Sequence, residues 1–272
     1  LPHESTITDT ITAGAGKFMK TYHGPEFRLS ARYAFTDNFS VKAGFNSMRQ
    51  YIHKLSNTVI MSPTDTWKLS DVNIKPQRGW QAAAGLYLNS PSGIWEYSVE
   101  GYYKRMSDYL DYRGGAKLLM NHHIETDVIN TQGHAYGVEL QVKKQVGKLN
   151  GWMSYTYSRT FLRQNDKRIE KPVNNGDWYP TEYDKPHDFK FVGNYKFTHR
   201  YSMSINVDYS TGRPTTIPAG QYYDESTQSM RVYYTERNSY RIPDYFRTDI
   251  SFNIEPSHHL TLLTHSSISI GV

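Results

Sequence analysis

The sequence predicts an all-β protein, and more narrowly a fragment of a transmembrane antiparallel β-barrel, from three observations. Apolar and polar residues alternate through ten segments, which is the period of a two-faced strand and not of a helix. The connections between these segments are alternately short and long. Aromatic residues make up 14% of the 272 residues although the hydrophobic class reaches only 38%. That balance suits neither a water-soluble core of this size nor a disordered chain.

The composition also excludes several classes of protein. The chain has no Cys, which excludes disulfide scaffolds, iron–sulfur proteins and thiol enzymes. No run of about 18 apolar residues occurs, so no helical membrane span is predicted. The net charge of +5 is small for this length and the basic residues are scattered among acids. Nucleic acid is therefore not an expected partner.

The first hairpin illustrates the alternating pattern. In residues 25–35 the odd positions are apolar and most even positions are polar, and after a polar break at residues 36–38 the alternation resumes over residues 39–46. A short polar break between two alternating segments predicts a hairpin turn. Four further hairpins follow, with strand pairs at residues 80–88 and 95–104, 136–142 and 153–157, 189–197 and 201–209, and 246–254 and 260–270, the last turning at residues 255–258.

The lengths of the connections indicate the architecture. Turns inside hairpins take about three to five residues, whereas the links at residues 56–77, 113–134, 162–187 and 211–242 are much longer. Structureless loops of more than about 15 residues are uncommon in compact domains, but short turns at one end and long loops at the other are typical of outer-membrane barrels. The alternative is a soluble β-sandwich or a kelch-type propeller. A propeller blade, however, has four short strands, and here each repeat has two longer ones.

Several segments of the chain resemble a known family. Residues 181–196 (TEYDKPHDFKFVGNYK), together with 202–209 and 210–218, resemble the C-terminal barrel of TonB-dependent outer-membrane receptors of the Bacteroidetes type. Residues 133–140, 240–249 and 265–271 fit the same family. The resemblance covers most of the chain from about Pro25 onward, in the order as well as the wording of its segments.

The resemblance implies a barrel of about 22 strands in the cell outer membrane, with an N-terminal plug domain inside it. Residues 1–24 would then be an extracellular loop or irregular lead-in, and residues 25–272 a partial barrel that lacks the plug and the last strands. The implied partners are the lipid bilayer, the plug and the TonB–ExbB–ExbD complex, with a surface-exposed lipoprotein as a further candidate. The implied function is energised import of a large nutrient, such as a siderophore, an oligosaccharide or a peptide, with no enzyme activity and no cofactor.

The polar faces of the predicted strands would line the lumen of such a barrel and contact the plug. They carry charged residues of both signs, and mixed signs favour plug docking through salt bridges over selectivity for one kind of ion. The charged residues at these positions are Glu26, Arg28, Arg32, Lys42, Glu96, Glu100, Glu139, Lys143, Lys190, Asp208, Arg247 and Asp249.

Aromatic residues in the long links are the candidates for an extracellular ligand site. They lie outside the predicted strands, where they have no lipid to face, and Tyr and Trp offer large rigid contact surfaces with a hydrogen-bonding tip. The alternative is that they pack the loops on one another or top the upper aromatic girdle. The predicted ligand-binding residues are Trp67, Trp178, Tyr179, Tyr183, Tyr222, Tyr223, Tyr233 and Tyr234.

No catalytic or metal-binding motif is predicted. The chain has no G-x-S-x-G elbow and no Cys, and His187 between Asp184 and Asp188 is better explained by loop re-entry into a strand, which Pro186 directs. A second group of possible ligands has spacings that match no metal motif, namely His122, His123, Glu125, Asp127 and His134. A passive porin-like or assembly barrel and a secreted soluble carbohydrate-binding or hydrolytic β-protein remain as alternative functions.

Overall fold

The computed structural model describes residues 14–17, 20–55, 66–112, 127–164, 172–225, 228–254 and 268–271. Within these ranges, no helix has the length and apolar character needed to cross a membrane. A short 3-10 turn lies at Val173–Gly176. The strands are β1 (Phe27–Ala34), β2 (Phe39–Gln50), β3 (Ile52–Leu55), β4 (Thr66–Leu69), β5 (Gln77–Asn89), β6 (Trp95–Tyr112), β7 (Val128–Lys144), β8 (Leu149–Gln164), β9 (Tyr179–Pro180), β10 (His187–Lys196), β11 (Tyr201–Ser210), β12 (Pro214–Thr215), β13 (Pro218–Asp224), β14 (Ser229–Tyr234), β15 (Tyr240–Arg241), β16 (Tyr245–Ile254) and β17 (Ile268–Gly271).

Ten of these strands form one antiparallel meander, which we call the main sheet. Its order is β1-β2-β5-β6-β7-β8-β10-β11-β16-β17, so that each strand pairs with the next main-sheet strand along the chain, and β9 pairs with β8. The ten main-sheet strands correspond to the ten predicted from the alternation of residues. The prediction of an all-β antiparallel fold is therefore confirmed.

The two ends of the main sheet differ, as the connection lengths predict. Four-residue to five-residue turns join β1 to β2, β5 to β6, β7 to β8 and β10 to β11 at one end, which we call the turn end. The other end, the loop end, carries β9 and the two-stranded pairs β3–β4, β12–β15 and β13–β14. The long links are thus partly structured at this end.

One face of the main sheet is apolar. The register pairs Leu29 with Phe45, Phe45 with Ala82 and Ala82 with Tyr103, so apolar residues of neighbouring strands form continuous rows. These side chains are exposed, and Leu29 and Phe246 are each 68% exposed. Within the described residues no second sheet packs on this face, as a β-sandwich would require. A largely apolar face that no second sheet covers suits contact with lipid.

The opposite face is polar and carries the predicted lumen set. Arg32 pairs with Lys42, Glu100 pairs with Glu139, and Asp208 pairs with Arg247. Because side chains on directly paired residues leave the sheet on the same side, the register places all the predicted charges of the strands on this one face. Their contact with a plug stays a prediction.

The structure corrects several predicted boundaries. β6 continues to Tyr112, past the predicted strand at residues 95–104, and β7 begins at Val128, inside the predicted link at residues 113–134. A register shift between Met106 and Tyr109 lets the pairing of these two strands continue past the end of the clean alternation. In the last hairpin Ile254 pairs with Ile268, so the strands are separated by residues 255–267. The predicted turn at residues 255–258 and the strand start at residue 260 lie outside the described residues.

Candidate functional site

The candidate site lies on the polar face at the loop end, where the lumen of a barrel would open. Past the register shift, Tyr109 pairs with Thr131 and Asp111 pairs with Ile129. On the other side of β8, Tyr179 pairs with Leu162. These residues continue the polar face of the main sheet, and we call their surroundings the mouth.

A buried hydrogen-bonded group holds the mouth together. Tyr179 is only 1% exposed, and its hydroxyl donates to Asp111 Oδ2 at 2.6 Å. Arg237 Nη1 donates to the same carboxylate oxygen at 2.8 Å, and its guanidinium lies 6.0 Å from the centre of the Tyr179 ring. Burial, followed by the Asp111 carboxylate, raises the pKa of Tyr179, so its phenol stays a hydrogen-bond donor. The arrangement joins the β6 wall to a loop that is 126 residues distant in sequence.

Hydrogen bonds from asparagine side chains to backbone groups join the same loops to each other. Asn174 Oδ1 accepts from the backbone N–H of Arg237 at 2.7 Å, and Asn174 Nδ2 donates to the Arg237 carbonyl at 3.1 Å. Asn238 Nδ2 donates to the carbonyl of Pro180 at 2.8 Å. The link between β8 and β10 and the link between β11 and β16 therefore form one structural unit.

Asp184 anchors this unit to the main sheet. Its side chain is fully buried, and Oδ1 accepts from the backbone N–H of Thr160 at 2.7 Å and from Arg159 Nε at 3.3 Å. Arg241 pairs with Oδ2 and also donates to the carbonyls of Asp184 and Gly212, at 2.8 and 2.9 Å. This group of Asp184, Arg159, Arg241 and the Thr160 amide, which we call the Asp184 anchor, serves the loop re-entry proposed from the sequence.

Charged groups of both signs surround the mouth. Burial, followed by the Asp111 carboxylate, raises the pKa of Glu182, while Arg237 and Arg213 act in the opposite direction. Next to Glu182, the Tyr183 side chain is 61% exposed. The mouth thus offers carboxylates, guanidinium groups and phenols, which suits reversible binding of a polar or aromatic ligand.

The eight predicted aromatic residues occupy different places, and six of them lie in short strands. Trp67 is on β4, Tyr222 and Tyr223 are on β13, and Tyr233 and Tyr234 are on β14, all of them exposed. Tyr179 is on β9 and is buried, so it stabilises the mouth and does not line its surface. Trp178 precedes β9 and lies on the apolar side, with its ring 4.4 Å from that of His134. These strands are too short, or too uniformly exposed, to show a period in the sequence.

The hairpin formed by β13 and β14 displays its tyrosines on two faces. Gly220 pairs with Tyr233, and Tyr222 pairs with Arg231, so Tyr222 and Tyr233 share one face. The Tyr233 ring lies over Gly220, because an added Cβ would come within 2.7 Å of it. Sequence reasoning found these tyrosines but missed Asp111, Glu182 and Arg237. No local pattern marks those three residues, since each is defined by partners far away along the chain.

The metal-site candidates are not brought together in the described residues. No group of three or more His, Asp or Glu side chains there is arranged to hold a metal ion. His122, His123 and Glu125 lie outside the described residues. His187 Nδ1 lies 2.8 Å from the Tyr155 hydroxyl.

An antiparallel meander with one lipid-suited face, short turns at one end and an elaborated mouth at the other defines an outer-membrane type of barrel wall. Residues 3–272 match the family model described as TonB dependent receptor-like, beta-barrel. The chain belongs to this family, whose members are outer-membrane receptors and transporters and not enzymes. Its assignment to the Bacteroidetes type and to the C-terminal part of the barrel stays a prediction. No curated protein matches the chain.

Solved structures with a similar fold include several iron receptors. The ferric-catecholate import receptor Fiu of Escherichia coli matches with a TM-score of 0.52 and 14% identity, over 85% of this chain and 28% of the receptor. The FrpB iron transporter of Neisseria meningitidis matches with 0.53 and 13%, over 90% and 34%. The pyoverdine receptor FpvA of Pseudomonas aeruginosa matches with 0.52 and 12%, over 90% and 31%. The chain therefore spans about a third or less of these receptors.

Proposed function

We propose that this chain forms part of the wall of an active transporter that captures a large nutrient at its mouth and imports it with energy from the TonB complex. A ferric siderophore is the ligand class that we propose first. The observation that carries the proposal is the mouth, where Asp111, Tyr179 and Arg237 tie two loops into one unit on the polar face. Such a unit supports a preorganised binding surface, and preorganisation lowers the entropic cost of binding.

The chemistry of the loop end supports a ligand that is large, polar and partly aromatic. Exposed phenols of Tyr183, Tyr222 and Tyr233 offer stacking surfaces with hydrogen-bonding tips. The arginines and carboxylates of the mouth recognise charged groups. Ferric complexes of catecholate or peptide siderophores combine these properties. The structural neighbours Fiu, FrpB and FpvA, named for ferric-catecholate, iron and pyoverdine, point to the same class.

Transport requires that the ligand binds one state of the receptor more tightly than another. A ligand with equal affinity for the closed and open states shifts neither. Capture at the mouth and displacement of a plug by TonB meet this requirement, because the ligand contacts both the loops and the plug in the closed state only. The chain needs no covalent chemistry for this role.

The charge pattern of the polar face supports the plug as a partner. Glu100 and Glu139 are directly paired, and like charges at such positions are unfavourable. Arg32 and Lys42 form an equivalent basic pair two strands away. A plug surface that presents basic groups to the first pair and acidic groups to the second would relieve both repulsions. The surface lipoprotein stays a prediction of the sequence resemblance.

The test uses the receptor at its natural length in cells with and without a functional TonB complex. Radiolabelled ferric siderophores are offered to the wild type and to a Tyr222→Ala, Tyr233→Ala variant, with Tyr201→Ala at the turn end as the matched control. Loss of two aromatic contacts of about 1 to 1.5 kcal/mol each predicts about thirtyfold to a hundredfold weaker binding. Uptake should require the TonB complex, whereas surface binding should not.

Other outcomes point to other functions. Uptake that persists without the TonB complex would favour the passive porin-like barrel. Normal siderophore uptake in the double variant would place the ligand site away from the β13–β14 hairpin. Competition by an oligosaccharide or a peptide, with no binding of any ferric complex, would replace the substrate class but keep the transporter.

A further inference from the structure

The apolar face carries an unexpected group of basic residues at its loop end. Arg105 on β6 pairs with His134 on β7, and His134 pairs with Phe161 on β8. Arg105 and His134 lie two residues along their strands from the paired Tyr103 and Tyr136, which belong to the apolar face. The side chains of Arg105 and His134 therefore leave the wall on the side that faces lipid.

Aromatic rings contact these basic side chains. The His134 ring lies edge-on to Trp178 with 4.4 Å between the ring centres, and 5.4 Å from Phe161. The Arg163 guanidinium lies 5.7 Å from the Trp178 ring. Arg159, which also belongs to the Asp184 anchor, lies 4.6 Å from the Phe161 ring. We call Arg105, His134, Arg163 and Trp178 the outer basic patch.

The outer basic patch lies at the height of a membrane interface. Trp95 and Lys144 form a paired row at the turn end, with the Lys144 ammonium 5.8 Å from the Trp95 ring. Arg105 is ten residues further along β6. At about 3.3 Å per residue and a strand tilt of about 40°, the two rows are about 25 Å apart, which is the height of the apolar band of an outer-membrane barrel.

Arg105 and Arg163 have exposed side chains at this height, and among the described residues neither forms an ion pair. An arginine on a lipid-facing surface is costly unless an anionic group meets it. Guanidinium groups bind phosphate through paired hydrogen bonds. The anions available at an interface are the phosphates of lipid head groups.

We propose that the outer basic patch binds the head group of a phosphorylated glycolipid in the leaflet at the loop end. Arg105 and Arg163 are two strands and two residues apart, so their Cα positions are separated by about 12 Å. A sugar head group with two phosphates spans this distance, whereas the single phosphodiester of a glycerophospholipid contacts only one arginine. The exposed surface of Trp178 offers an apolar face for a sugar ring between them.

The test measures lipid retention by the receptor at its natural length, purified in detergent and examined by native mass spectrometry. The probes are bisphosphorylated lipid A, its dephosphorylated form, phosphatidylglycerol and inorganic phosphate. The wild type should retain the bisphosphorylated lipid at least about tenfold more tightly than the other three probes. Arg105→Gln with Arg163→Gln should lower that retention by about tenfold or more, the effect expected for lost charge-assisted hydrogen bonds.

Two further variants separate recognition from damage. Lys144→Gln removes a cation from the same face at the turn end and should leave retention of the bisphosphorylated lipid unchanged. Arg105→Lys with Arg163→Lys keeps the charges and should restore part of the retention without the paired geometry. A heat-modifiable band on a denaturing gel reports that each variant is folded.

Three results would overturn the proposal. The first is equal retention of the dephosphorylated lipid, and the second is equal retention of phosphatidylglycerol, which would assign the patch to glycerophospholipid. The third is an equal loss in Lys144→Gln, which would reduce the effect to net charge. None of these outcomes depends on siderophore uptake, so they leave the proposed transport function untouched.

Discussion

Replacing Asp184 by Ala should detach the loops of the mouth from the main sheet while the strands of the sheet stay paired. The carboxylate is fully buried and meets two guanidinium groups and the Thr160 amide. Removing one partner of a buried ion pair costs about 3 to 5 kcal/mol, and a buried N–H left without an acceptor costs about 1 to 3 kcal/mol. The side chains of Arg159 and Arg241 are 26% and 30% exposed, so water compensates part of this cost. We expect about 3 kcal/mol.

The loss should be local because the Asp184 anchor connects loops to a wall that is paired independently of it. Amide hydrogen exchange reports local opening free energies directly. A change of about 3 kcal/mol corresponds to exchange that is about a hundredfold faster in residues 172–186 and 237–244, with little change in the main-sheet strands. The exchange rates of Asp184→Asn should fall between those of the wild type and Asp184→Ala, because Asn keeps an acceptor for the Thr160 amide but loses the charge.

The matched control is Asp188→Ala, four residues further along. Asp188 lies 3.7 Å from Lys190 in a pair of partly exposed side chains, and such pairs contribute about 0 to 1 kcal/mol. If Asp184→Ala accelerated exchange no more than Asp188→Ala does, the Asp184 anchor would not hold the mouth. If exchange rose equally throughout the main sheet, the separation between loops and wall would be wrong.

Three further predictions follow from single positions. Burial raises the pKa of Glu182 above 4.5, so above that pH the folded mouth binds more protons than the unfolded loop and ionisation of Glu182 destabilises it. Glu182→Gln should therefore slow proteolysis of the mouth at pH 7. At pH 4 the variant and the wild type should be cleaved at the same rate. Burial lowers the pKa of His53 below 6.5, so protonation of His53 opposes folding of the β3–β4 hairpin. The hairpin should be fully stable above pH 6.5 and lose stability as the pH falls below that value, which amide exchange of the hairpin will measure. Gly151 has a φ of +152°, and a Cβ there would overlap the carbonyl of Val192 on β10; Gly151→Ala should abolish the heat-modifiable folded band, whereas Gly101→Ala, whose nearest contact is 3.9 Å, should keep it.

The wall of the barrel could be predicted from the sequence because its physical signal is local. Alternation over residues 25–35 assigns the faces of β1, and the polar break that follows places its turn. The contrast between short and long connections then separates the two ends of the sheet. Each of these inferences needs only a stretch of about ten neighbouring residues.

The mouth could not be predicted in the same way because its residues are defined by distant partners. Tyr179 is a residue type that often contacts ligands, yet its pairing with Leu162 on β8 buries its side chain, where it donates a hydrogen bond to Asp111. Trp178, one residue earlier, is turned to the opposite side, next to Arg163. β9 has two residues, too few to show a period, so the sequence could not distinguish the surroundings of these two neighbours.

The long sequence separation inside the mouth also sets the order in which the protein matures. Asp111 and Arg237 are 126 residues apart, and closing such a distance is entropically unfavourable until intervening strands bring the ends together. Adjacent hairpins of the wall need no such help. We therefore expect the contacts of the mouth to form last, after β16 has paired with β11. An insertion intermediate arrested before β16 should then have paired upstream strands but protease-sensitive loops. Ligand-binding competence would then be a late event in biogenesis and would mark the receptors in which β16 has been inserted.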